Sequence, residues 1–283
     1  SAAFGKCTGL TEVTLPGSLS LIGEGAFGAC MALKAYEVSP TNAVYESIDG
    51  VLFDKTAKTL LSYPSGKPDQ RYKIPQGTIA LSPFSFVYAV LLEDVTIDEG
   101  VKSIGEGAFA YCAGLKNAAL ADSVEIMGKG VFTECAGLAQ VRLPAGLTEI
   151  SQETFKSCKG LTGIHVPDTV KIIGYDAFSG CDSLTEITLP QGVELIRNRA
   201  FQGSGLKKVA LPEGVTSIAS KLFYLCDGLE EISIPSSVTA IGDEAFSNCK
   251  VLHDITLPAG LQTIGNATFQ SCEALQAVTL PDS

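Results

Sequence analysis

The sequence predicts a solenoid of about twelve stacked repeats, 22–23 residues each, sharing a parallel β-sheet. Three observations predict it. An apolar template recurs along the chain, L-x-x-[V/I]-x-[L/I]-P-x-x-[V/L]-x-x-I-G-x-x-A-F-x-x-C-x-x. One clean copy is Leu10, Val13, Leu15, Pro16, Leu19, Ile22, Gly23, Ala26, Phe27 and Cys30. Phenylalanine keeps that period at Phe4, Phe27, Phe86, Phe109, Phe132, Phe155, Phe178, Phe201, Phe223, Phe246 and Phe269. Proline returns to one template position, at Pro16, Pro75, Pro144, Pro167, Pro190, Pro212, Pro235, Pro258 and Pro281. A repeat this short cannot bury its apolar face alone, so neighbours must stack.

Each element follows from the template in order. Glu12-Val13-Thr14-Leu15 alternates polar and apolar residues, as a half-buried strand does. The following proline ends the strand, because it lacks the N–H a ladder needs. Leu19 and Ile22 point inward, and Gly23 is expected to permit a corner. Ala26, Phe27 and Cys30 then read as a short helical or 3-10 turn with phenylalanine filling the interior. Successive strands would lie about 4.8 Å apart on the concave face of the solenoid.

The period breaks twice. One residue is missing between Phe201 and Leu206. The larger break lies between Val38 and Ile74. There Ile48-Asp49-Gly50-Val51-Leu52-Phe53 and Thr59-Leu60-Leu61-Ser62-Tyr63-Pro64 flank Asp54-Lys55-Thr56-Ala57-Lys58. These runs read as a β-hairpin insertion over residues 39–73 that protrudes from one solenoid spanning 1–283. Tyr72-Lys73-Ile74-Pro75 resumes the strand template. The chain starts and stops in mid-repeat, which predicts a fragment of a longer protein cut at both ends.

The bulk numbers narrow the function classes. A net charge of -11 repels nucleic acid and anionic membrane surfaces. Hydrophobic content of 46% and a mean hydropathy of +0.26 exclude disorder. No membrane-spanning run or signal peptide is evident, so direct membrane insertion is not expected.

The chemistry-bearing residues fit packing better than catalysis. All nine cysteines (Cys7, Cys30, Cys112, Cys135, Cys158, Cys181, Cys226, Cys249 and Cys272) fall three residues after an anchor phenylalanine. An odd count, with no C-x-x-C pair and no neighbouring histidine, favours a buried thiol ladder over disulfides or a zinc site. Ala89 and Ser204 take the same position in two repeats. Gly23-Glu24-Gly25-Ala26-Phe27-Gly28 matches G-x-G-x-x-G, but no long helix follows, so no cofactor is expected. His165 and His253 lie in strand segments with no nucleophile in register, so no catalytic residue is assigned. The sequon Asn266-Ala267-Thr268 reads as a chance match.

What remains is surface. Strand alternation points one column outward, Glu12, Ala35, Asp94, Asn117, Gln140, Gly163, Glu186, Lys208, Glu231, Asp254 and Ala277. A second column carries Arg142 and His165. The most distinctive outward patch is Gln140, Arg142, His165 and Glu186, with Gly163 leaving a notch. The insertion adds aromatic candidates for ligand contact at Tyr45, Phe53 and Tyr63.

The I-G-x-x-A-F-x-x-C segment, across essentially the whole chain, resembles the leucine-rich-repeat family of BspA-type bacterial surface proteins, also called the Treponema pallidum type. Asn42, Tyr45, Asp49-Gly50-Val51-Leu52, Leu60-Leu61, Tyr63-Pro64 and Tyr72-x-Ile74-Pro75 are similar to an insertion common in that family. The resemblance implies a leucine-rich-repeat solenoid, a secreted or cell-surface location, and adhesion to a protein or glycan partner such as a host matrix glycoprotein. It carries over no catalytic residue. A monomeric, non-enzymatic adhesion module is the expectation, with a structural spacer for another domain as the alternative.

Overall fold

The computed structural model describes residues 2–56 and 58–281. Ala57, in the expected hairpin loop, and the terminal Ser1, Asp282 and Ser283 lie outside the described residues. Two compact units divide the chain, residues 1–144 and 145–283, and each is a stack of solenoid turns.

In the first unit the strand template forms parallel pairs in perfect repeat register. Glu12–Leu15 pairs with Ala35–Val38, Glu12 opposite Ala35. A four-stranded sheet runs in the order Gln140–Arg142, Asn117–Leu120, Asp94–Ile97, Arg71–Lys73. Within it Asp94, Asn117 and Gln140 face one another across the strands. The second half-turn builds another ladder from Ala80–Leu81, Ser103–Ile104 and Ile126–Met127.

The second unit repeats the plan with shorter strands. Glu149–Ile150, Ile172–Ile173 and Leu195–Ile196 pair in parallel, as do Ser217–Ile218, Ala240–Ile241 and Thr263–Ile264. Its main face holds Lys208–Ala210 against Glu231–Ser233 and isolated bridges joining His165 to Thr188, Glu186 to Lys208 and Glu231 to Asp254.

The Ala-Phe segment is not helical. Its residues form a chain of tight turns, such as Ala108 N–H to Gly105 O, Ala110 N–H to Gly107 O and Cys112 N–H to Phe109 O. Two residues per turn, four apart, carry a positive φ: Gly25 and Ala29, Gly107 and Tyr111, Gly130 and Glu134, Lys221 and Leu225. A left-handed residue on either side of the phenylalanine stops a helix before it propagates. The alternate N–H groups turn sideways instead and bind the next turn. Phe86 donates to Ala108 O at 2.7 Å and Tyr88 to Ala110 O at 3.0 Å.

The corner glycine also works differently from expectation. Gly105, Gly128, Gly174, Gly242 and Gly265 have no positive φ. A Cβ at Gly105 would stand 2.3 Å from Pro83 N, and one at Gly128 2.5 Å from Glu106 N. Close approach of successive turns demands glycine there, not a left-handed backbone.

The core is a column of rings. Phe86 stacks on Phe109 at 4.7 Å and Phe109 on Phe132 at 5.5 Å. In the second unit Phe155, Phe178, Phe201, Phe223, Phe246 and Phe269 stack in sequence at 5.3–5.7 Å. The rings from Phe86 to Phe246 are fully buried. Beside them the buried thiols reach back one turn, whereas Cys7 is exposed and departs from the expected buried ladder. Cys112 Sγ donates to Phe86 O at 3.0 Å, Cys181 to Phe155 O at 3.1 Å and Cys249 to Phe223 O at 3.2 Å.

The expected hairpin is present, Val51–Asp54 antiparallel to Thr59–Ser62, but it packs inward and does not protrude. The insertion comprises three strands, Tyr45–Ile48, Val51–Asp54 and Thr59–Ser62. Asp49-Gly50, both at positive φ, make the tight connection between the first two, so the Ile48–Phe53 run is a turn and a strand, not one strand. Thr59–Ser62 is antiparallel to Val51–Asp54 and then parallel to Ala80–Leu81, which fuses the insertion into the second ladder. Val51, Leu52 and Leu60 are fully buried. Apolar residues on both faces of this segment drive it inward rather than out into solvent. Asn42 pins its start: the amide donates to Pro16 O and Leu19 O, and its carbonyl accepts from Val44 and Tyr45 N–H.

Candidate functional site

The outward columns are where the register places them. In the first unit, Gln140 and Arg142 are exposed on the last strand of the four-stranded sheet. Arg142 is tied down. Its guanidinium donates to Asp122 at 2.9 Å and to Leu120 O. The column also holds Arg71, which strand alternation alone passed over. Arg71 reaches Asp94 at 3.4 Å, Asn117 donates to the same carboxylate at 2.6 Å, and Lys73 pairs with Asp98 at 2.7 Å. Such exposed pairs are worth about 0.2–1 kcal/mol each. Their effect is to hold long side chains flat on the sheet.

In the second unit His165 and Glu186 are exposed, and among the described residues neither side chain has a partner. Gly163 beside them would have its Cβ in open space. Lys208 pairs with Glu231 at 2.9 Å, and that hydrogen bond and charge raise the lysine pKa. His253 Nδ1 lies 2.8 Å from Asp254.

The aromatic candidates are placed otherwise. Tyr45, Phe53 and Tyr63 are 4%, 3% and 2% exposed. Tyr63 stacks on Phe86 at 4.9 Å and meets Tyr72 edge-on at 5.0 Å, filling the core where the repeat has no phenylalanine. Tyr45 Oη accepts from Ile22 N–H at 2.9 Å. The insertion's rings therefore pack the interior and present no surface cluster.

Exposed rings occur instead on the turn side. Phe84 and Tyr111 are about two-fifths exposed, and Tyr88 stacks on Tyr111 at 4.7 Å, nearly parallel. Tyr88 and Tyr111 stand one period apart in the sequence, and that coincidence was the available signal. In the second unit Tyr175 carries the Arg197 guanidinium over its ring at 5.4 Å.

The buried thiols are not activated. Burial pushes Cys181 up to about 12 and Cys226 up to about 11, the reverse of an activated cysteine. Among the described residues no cluster of three or more His, Cys, Asp or Glu could hold a metal ion. The sequon threonine, Thr268, is buried and its hydroxyl donates to Gly265 O.

A family described as the BspA type leucine-rich repeat region matches residues 1–64, 70–185 and 171–283. The chain belongs to that family. Solved structures agree. A leucine-rich cell surface protein from Faecalibacterium prausnitzii is 26% identical, with a TM-score of 0.65 over 86% of this chain and 77% of the other. The leucine-rich repeat protein of T. pallidum is 27% identical, with a TM-score of 0.53 over 76% of this chain and 91% of that one. A leucine-rich repeat protein from Eubacterium ventriosum, 21% identical with a TM-score of 0.57 over 96% of this chain, shares the fold. This BspA-type chain spans 60% of that protein's length. Comparison with curated proteins finds no match. Among the described residues, no helix is long and apolar enough to cross a membrane.

Proposed function

We propose that this BspA-type chain is a non-enzymatic interaction module on a bacterial cell surface, holding a protein or glycan partner against the outward face of its strand sheets. One observation supports this reading above the others. Side chains on that face stand on strands locked in repeat register, so a partner meets a preformed surface with little ordering cost. Gln140 and Arg142 in one unit, and His165 and Glu186 in the other, are the contact candidates. The likeness to a cell surface protein agrees with the location.

Equilibrium binding to a panel of matrix proteins and glycans at physiological salt tests the proposal. A partner whose affinity drops about tenfold or more in Arg142→Ala/His165→Ala is the expected result. Absence of binding at micromolar concentrations across the panel contradicts it. The second reading, a spacer that presents another domain, draws on a different observation. Charges such as Lys208–Glu231 and Arg71–Asp94 satisfy one another along the face.

A further inference from the structure

The strand sheet of the first unit carries a hydrogen-bond network on its outward face. Arg71, Asp94, Asn117 and Gln140 stand in one row, each opposite the next across parallel strands. Asp94 ties the row together. One of its oxygens faces Arg71 Nε at 3.4 Å, and the other accepts from Asn117 Nδ2 at 2.6 Å. The next row is Lys73, Thr96, Ala119 and Arg142. Its two long members bend away to carboxylates beyond the strand ends, Lys73 to Asp98 at 2.7 Å and Arg142 to Asp122 at 2.9 Å. Thr96 and Ala119 are exposed and too short to fill the space between them, so a shallow trough runs along the stacking direction. The Gln140 amide and the Thr96 hydroxyl have no partner among the described residues.

We propose that this trough binds an uncharged, extended oligosaccharide lying along the stacking direction, one sugar to a strand. The inference rests on the interaction-module reading above and narrows its partner to a glycan. Arg71, Lys73 and Arg142 are each engaged by a carboxylate, in a chain of net charge -11, so an anionic ligand finds no free cation here. These two rows expose no ring and no large apolar side chain, so a protein partner finds none of the apolar anchors that interfaces are built on. What the rows present is donors and acceptors held in place by one another: the Asn117 carbonyl, the remaining lone pairs of Asp94, the Gln140 amide and the Thr96 hydroxyl. A sugar hydroxyl both donates and accepts, so it pairs with either kind. Fixed partners of this sort cost little to order on binding. The spacing agrees as well. Strands repeat about every 4.8 Å, close to the length one hexose adds to an extended chain, and the three steps from Arg71 to Gln140 span about 14 Å.

Isothermal titration calorimetry of the full chain tests this with three uncharged β-1,4-linked tetrasaccharides, cellotetraose, mannotetraose and chitotetraose. Maltotetraose is the control, with the sugar and length of cellotetraose but an α-1,4 linkage that curls the chain. At least one of the three should bind with a Kd below about 1 mM, and maltotetraose should bind about tenfold more weakly or not at all. Asn117→Ala breaks the network and Ala119→Gln fills the floor. Each should weaken the bound tetrasaccharide about tenfold or more. Both positions are exposed, and an unchanged melting midpoint shows that the variants are folded. No binding of any of the three at about 1 mM overturns the proposal. So does binding that both variants retain, or that maltotetraose equals. Matrix proteins that bind while every tetrasaccharide fails leave the interaction-module reading standing and remove the glycan. Silence from proteins and sugars alike removes both.

Discussion

Several side chains in this solenoid sit in left-handed backbone that glycine would adopt more easily. Glu134, Ser157, Lys221 and Leu225 have φ near 57–61°, beside glycines at equivalent positions in other turns. A non-glycine residue there is strained by about 1–2 kcal/mol, against the 0.5–1 kcal/mol that glycine's extra unfolded freedom removes. Glu134→Gly should therefore raise stability by about 0.5–1 kcal/mol, read as a higher urea midpoint; a lower one would contradict the strain. The thiols carry a pH dependence of definite sign. Below about pH 9 the thiols keep their protons whether folded or not, and the shift has no effect. Above it the unfolded chain ionises first, while burial holds Cys226 neutral to about 11 and Cys181 to about 12. The unfolded state then binds fewer protons, so stability falls as pH rises through this window. Urea midpoints at pH 8 and 10.5 measure the fall, which should shrink in Cys226→Ser. Buried Cys112 and Cys181 should also label slowly beside exposed Cys7.

At the scale of the element, the ring column carries the apolar stabilisation. Phe178 is fully buried between Phe155 at 5.3 Å and Phe201 at 5.5 Å. Phe178→Ala should cost about 3–5 kcal/mol, as cavity-forming truncations do. A midpoint unchanged in denaturant would be incompatible with that packing. The insertion is part of the core, so its removal is not neutral. Asn42→Ala strands two N–H groups and two carbonyls and should cost about 2–3 kcal/mol. Deleting residues 42–70 should unfold the first unit's early turns, seen as lost protection around Phe27; retention of that protection would restore the protruding-hairpin picture. Repeat register was legible because a strict period leaves one way to stack. The insertion's path was not, because Ile48–Phe53 satisfies a strand pattern until Asp49 and Gly50 are seen to turn.

For the molecule as a whole, the candidate surface was half legible. Alternation along each strand correctly turned Gln140, Arg142, His165 and Glu186 outward, since successive side chains must point to opposite faces. It could not tell that Arg142 is held by Asp122, a residue 20 positions away on the preceding turn's loop. Nor could composition place Tyr45, Phe53 and Tyr63, whose aromatic character suits an interface and a core equally. The binding panel with Arg142→Ala/His165→Ala addresses the outward face.

The sequence by itself determined the solenoid, its parallel register, the interior phenylalanines and the burial of seven of the nine thiols, because each follows from a short apolar period that only stacking can bury; Cys7 is exposed and Cys272 half-buried, against that expectation. Tertiary structure alone decided the rest. It folded the insertion inward, since burying Val51, Leu52 and Leu60 outweighs leaving them in water. It replaced helical turns with left-handed corners, since bonding to the next turn satisfies the N–H groups a helix would have used. Where the insertion takes a straighter path, it left Gly25, Phe27 and Ala29 with donors that no residue of their own unit accepts, among those described.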